Sequence, residues 1–128
     1  MSAKFKVTNS LTCEHIVESA DKKHTLINTY AGNILLTEIP GRIFIAFYIE
    51  FISNVEQEID AEIALYLGRK AAMKGETKLK FDGVNPLVLT LPSGVLQVKK
   101  PVTLKLIITP TGEKPSKLIE KKLMLIGA

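Results

Sequence analysis

The chain has 128 residues, enough for one domain with a two-layer core and no need for disulfide or metal staples. Hydrophobic residues make up 46% and charged residues 23%, which excludes a disordered tail. Cys13 is the only cysteine, which excludes an internal disulfide and gives no reason to expect an oxidising compartment.

The opening, Met1 to Asn9, has no apolar stretch long enough for a signal peptide, and apolar runs such as Ile43 to Ile49 are too short to span a bilayer. A soluble, cytoplasmic protein without a transmembrane segment is therefore expected. Net charge is +4, but of 17 basic residues only Arg42 and Arg69 are arginine, and the lysines are dispersed along the chain. A nucleic-acid binder clusters its cations on one element, often with aromatics between them, so no nucleic-acid partner is expected. The lysines read as a solvated surface with protected sheet edges.

Hydrophobic periodicity is two almost throughout. Leu11 to Glu18 and His24 to Tyr30 form a predicted hairpin around Ala20-Asp21-Lys22-Lys23, with Asp21 favouring the turn. Gly32-Asn33 and Pro40-Gly41 are breaks. Ile43, Ile45, Phe47, Ile49 and Phe51 then occupy one parity of a strand, with Phe44, Ala46, Tyr48 and Glu50 on the other. In the next segment Ile59, Ala61, Ile63, Leu65 and Leu67 alternate with Glu58, Asp60, Glu62 and Tyr66. A helix competes there, because Glu and Ala favour helices and Ile59, Ile63 and Leu67 would share a stripe; strict alternation favours a strand.

Lys70 to Phe81 alternates again, and Asp82-Gly83 with Asn85-Pro86 reads as a turn. Leu87 to Leu91 is a strand closed by Pro92-Ser93-Gly94, and Val102 to Ile108 is a strand closed by Pro110-Thr111-Gly112. Lys117 to Ile126 is the last strand; both of its parities carry apolar residues, and a bulge reconciles them. Short strands with turn signals about every 8–12 residues predict an all-β, antiparallel β-sandwich, immunoglobulin-like or C2-like, of about eight or nine strands. Residues 1–128 are taken as one domain.

Three stretches carry a resemblance: Leu11-Thr12-Cys13-Glu14-His15-Ile16, Leu26-Ile27-Asn28-Thr29-Tyr30-Ala31-Gly32, and the long apolar strand after Pro40. With Leu87 to Leu91, Gly94-Val95 and Val102 to Thr109, the layout resembles a family of small bacterial domains of unknown function. It departs from that pattern at the first hairpin turn, where the family usually has a Gly and this chain has Asp21-Lys22-Lys23. The resemblance implies a sandwich fold and no known activity, and it carries over no functional residues.

Site chemistry gives little. Cys13, His15 and His24 are the metal candidates. A turn about Asp21-Lys22 sets His24 opposite Ser19 and His15 opposite Asn28, which separates the two histidines by roughly 13 Å, too far for ligands that must each lie about 2 Å from an ion. Cys13 then reads as a small buried hydrophobe. Cys13 and His15 also lie too far apart for a thiolate pair, and Ser93-Gly94 lacks a nucleophile-elbow context. Glu58, Asp60 and Glu62 share one strand face, where Lys74, Lys78 and Lys80 of a neighbouring strand can pair with them. No calcium loop or phosphate loop is present in the sequence. No cofactor and no enzyme activity are expected.

Binding surfaces remain. Phe44 and Tyr48, with Tyr66 at matching parity on the next strand, are the interface candidates; the competing reading covers Phe44 and Tyr48 with the N-terminal segment or a loop. The expected function is protein interaction or assembly, with a foreign partner or a second copy, through this face or an edge strand. The alternative is a module for carbohydrate, disfavoured by the absence of Trp, or for anionic lipid.

Overall fold

The computed structural model describes residues 5–21 and 23–127, the side chains of residues 92 and 93 excepted. Met1 to Lys4 and Lys22 of the sequence reading, and the side chain of its Ser93, lie outside the described residues. Among the described residues nine strands follow in order: β1 (Lys6–Glu18), β2 (His24–Thr29), β3 (Ile34–Leu36), β4 (Gly41–Ile52), β5 (Glu56–Leu67), β6 (Lys70–Asp82), β7 (Leu87–Val98), β8 (Val102–Pro110) and β9 (Ser116–Leu125). They form two sheets, β2-β1-β4-β7 and β3-β9-β8-β5-β6, packed as a β-sandwich of immunoglobulin-like or C2-like type. All pairings are antiparallel except β3 with β9.

The alternation read from the sequence is the packing plan. Ile45, Phe47, Ile49 and Phe51 of β4 are buried against Ile63, Leu65, Leu79, Phe81, Leu104, Leu106 and Ile108 of the facing sheet. Each such side chain contributes about 1.5–3 kcal/mol relative to exposure. The segment with helical propensity is strand β5, because as a strand it places Ile59, Ala61, Ile63, Leu65 and Leu67 toward the core together. The bulge expected in the last strand is present: Leu106 pairs with Ile119 and Ile107 with Lys117, leaving Leu118 as the extra residue.

Two elements differ from the sequence reading. Pro92-Ser93-Gly94 does not close β7. The strand runs on to Val98, with Ile45 opposite Gly94 and Phe47 opposite Leu91, so one extra residue is absorbed as a bulge. Proline removes a ladder donor and is tolerated at bulges and on edges, and β7 is an edge strand. Between the two predicted breaks, Ile34-Leu35-Leu36 forms β3 and leaves the first sheet to pair with β9. The crossover is fixed by Lys121 Nζ donating to the Gly32 carbonyl (2.9 Å) and Ile126 N–H donating to the Leu36 carbonyl (2.8 Å).

Thr12 faces the core opposite Phe47 and is 1% exposed, and its Oγ1 has no hydrogen-bond partner among the described residues. Thr12→Val removes this orphaned hydroxyl at equal shape and is expected to raise stability by about 1 kcal/mol, read from the urea midpoint. The Asp82 turn behaves as expected. Its carboxylate accepts the Val84 and Asn85 N–H groups (2.8 and 2.7 Å), with Gly83 at φ 84°. Those backbone hydrogen bonds, first among them that of Asn85, hold the Asp82 pKa below its ordinary value. A depressed pKa means the stabilisation exists above the unfolded value and is lost as pH falls through the folded one. The stability difference between wild type and Asp82→Ala should therefore be present at neutral pH and should shrink as pH drops below about 3.9.

Candidate functional site

β1 and β4 pair as far as Cys13 opposite Ala46, with Leu11 opposite Tyr48. β1 then continues with β2 alone, ending at Glu18 opposite His24. The turn is one residue off the sequence expectation: His24 faces Glu18 rather than Ser19, and His15 faces Ile27 rather than Asn28. Its loop is Ser19 to Lys23, closed by Ser19 N–H donating to the Lys23 carbonyl (2.8 Å) and by the Ser19 hydroxyl donating to Asp21.

This register has a geometric consequence. A straight β1 would carry Glu18, and His24 beside it, about 23 Å along the strand from Leu11 and Tyr48. The rings of His24 and Tyr48 are 5.5 Å apart. The β1–β2 hairpin therefore bends back over the outer face of the first sheet. Tyr30 secures its base, donating its N–H to the Thr12 carbonyl (2.8 Å) and its hydroxyl to the Phe44 carbonyl beyond the end of the β1–β4 ladder (2.9 Å).

Under the hairpin lies a second buried layer. Cys13 and Ala46 are both 0% exposed, yet neither belongs to the core between the sheets. The Cys13 thiol donates to the His15 carbonyl at 3.3 Å, and burial pushes its pKa up. His15 and His24 do not converge with Cys13 but rest on separate rings, His15 on Phe44 at 5.1 Å and His24 on Tyr48. His24 also lies 3.7 Å from Glu18.

The interface candidates separate. Tyr48 is half-buried by His24, and burial and then Glu50 raise its pKa. Phe44 on the same face remains 48% exposed. Tyr66 does not join them. β4 and β5 are consecutive in the chain but lie in opposite sheets, so Tyr66 sits on the outer face of the second sheet, opposite Ala71 and Lys105.

What joins Phe44 instead was not legible in the strand parity. Ile27 pairs with His15, His15 touches Phe44, and Phe44 pairs with Val95. Ile27, His15, Phe44 and Val95 thus form one row, with a side chain from each strand of the first sheet, and Val95 is the most exposed of them at 59%. Exposed Val17 extends the row along the hairpin. Arg42, two residues from Phe44 and paired with Gln97, makes a polar rim on the same face. It forms no ion pair among the described residues.

On the outer face of the second sheet, part of the carboxylate row is paired across strands. Lys78 lies 3.7 Å from Glu58 and 3.9 Å from Asp60, and Lys80 lies 3.8 Å from Glu58. Two of the three expected lysines therefore pair across with the carboxylate row, while Lys74 stands opposite Ala64. Among the described residues no group of three or more His, Cys, Asp or Glu is placed to hold a metal ion, and no helix is long and apolar enough to cross a membrane. No family model matches the chain, and no curated protein matches it.

Proposed function

We propose that this is a non-enzymatic protein-interaction domain, which docks a protein partner on the outer face of the first sheet. The observation that carries the reading is the row Ile27, His15, Phe44 and Val95, whose three apolar members are exposed and which Arg42 rims. Interfaces favour aromatic anchors within an apolar patch and a polar rim. A complementary partner presents an apolar side chain to Phe44 and Val95 and a carboxylate to Arg42. A cytoplasmic location, and membership among the small bacterial domains of unknown function that the chain resembles, belong to the same reading.

The alternative, a module for carbohydrate or anionic lipid, has weaker support. Tyr30 and Tyr48 are engaged rather than offered as platforms, and Lys78 and Lys80 are committed to carboxylates.

A photo-crosslinking phenylalanine analogue at Phe44, introduced in cells that make the protein, is expected to yield an adduct of one defined mass. Val95→Glu should weaken that adduct at least tenfold, whereas Val84→Glu, at an exposed residue away from the row, should leave it unchanged. An equally strong adduct from the analogue at Val84, or none at Phe44, contradicts the reading.

A further inference from the structure

The sheets end in four edge strands, β2, β7, β3 and β6. Three of them are poor templates for further pairing. β3 has 3 residues, β2 has 6 with Asn28 at φ 54°, and β7 is bulged beside Pro92. β6 has 13 residues, and Lys70 through Glu76 is exposed on both faces. At its centre Lys74 and Glu76 flank Gly75 and share the outer face, opposite Ala64 and Glu62. Neither makes an ion pair among the described residues, and Glu76 stands directly across from a like charge.

We propose that β6 pairs antiparallel with β6 of a second copy of this chain, about a two-fold axis at Gly75, so that Lys74 of each copy faces Glu76 of the other. The inference rests on the reading of the domain as an assembly module but uses an edge, not the Phe44 face. An isologous contact sets residues equally distant from the dyad against each other. For the core faces of both copies to lie on one side of the joined sheet, the dyad must fall on a residue, because a one-residue slip reverses the faces. A dyad on Lys74 sets Lys against Lys, and one on Glu76 sets Glu against Glu. The Gly75 register makes two opposite-charge pairs, places no charge on the axis, and sets Met73 against Thr77. The other lysines do not oppose it: Lys78 and Lys80 are neutralised by Glu58 and Asp60, and a bulge at Ala72, between the Leu65–Met73 and Tyr66–Ala71 pairs, ends the ladder before Lys70. The ladder is short, Met73 to Thr77, so the dimer is weak and salt-sensitive.

Sedimentation of the full chain over a range of concentrations, at roughly 0.02 and 0.5 M salt, tests this, with far-UV circular dichroism as the control for folding. The expected result is a concentration-dependent rise toward dimer at low salt that weakens at high salt. Lys74→Glu and Glu76→Lys should each weaken association about tenfold, and the double reversal Lys74→Glu/Glu76→Lys should restore it. A monomer at every concentration, or a dimer indifferent to the single reversals, overturns the proposal. A dimer lost on Phe44→Asp instead overturns it and assigns self-association to the first sheet, and a monomer that still gives the Phe44 adduct leaves the interaction reading standing.

Discussion

β1 carries 13 residues, but its partner β4 holds it only as far as Cys13. The rest of β1 brings β2 with it, and neither strand can bury its apolar side chains in the core between the sheets. Ile16 and Leu26, paired across the hairpin, are partly buried outside that core. Once the hairpin bends back, Cys13 and Ala46 are sealed beneath it, Tyr48 is screened by His24, and the screened area ends at Phe44. The candidate docking row is what the bend leaves uncovered, so its position follows from where β1 parts from β4.

The two outer faces solve their solvation differently. The second sheet carries directly opposed charges, with Glu58 against Lys80 and Asp60 against Lys78, and these satisfy one another. Exposed pairs of this kind contribute little to stability, and they leave Glu62, Lys74 and Glu76 without an ion pair among the described residues. The first sheet carries apolar side chains and has few charges on its outer face. Such a surface is costly in water unless it is covered, and the hairpin covers part of its area.

Much of this was legible in the sequence, and the reason is the period of two. Alternation at Ile43 to Phe51 and Ile59 to Leu67 assigns core and surface residue by residue, and a short turn between β5 and β6 makes the Glu–Lys pairing readable from local register alone. The imperfect alternation of β9 likewise signalled its bulge. Parity fails where it needs non-local information. It assigned Tyr66 to a face but not to a sheet, and consecutive strands β4 and β5 turned out to lie in opposite sheets. It placed Cys13 correctly as buried without saying under what. Val95 was missed because proline and glycine ahead of it read as a strand end, whereas the edge strand absorbs them as a bulge. β3 was missed because three residues pairing in parallel with a strand at the far end of the chain leave no local pattern.

Cys13 offers a direct probe of the bend, being the only cysteine in the chain. On a flat first sheet its side chain would stand on the open outer face and react freely; beneath the hairpin it reacts only when the hairpin opens. The measurement is the rate of Cys13 modification by a thiol-reactive chromogenic disulfide, folded against denatured at one pH. The account predicts native labelling about a thousandfold slower or more, the retardation that an opening free energy of roughly 4 kcal/mol imposes. Native labelling within about tenfold of the denatured rate would place Cys13 in solvent and contradict it.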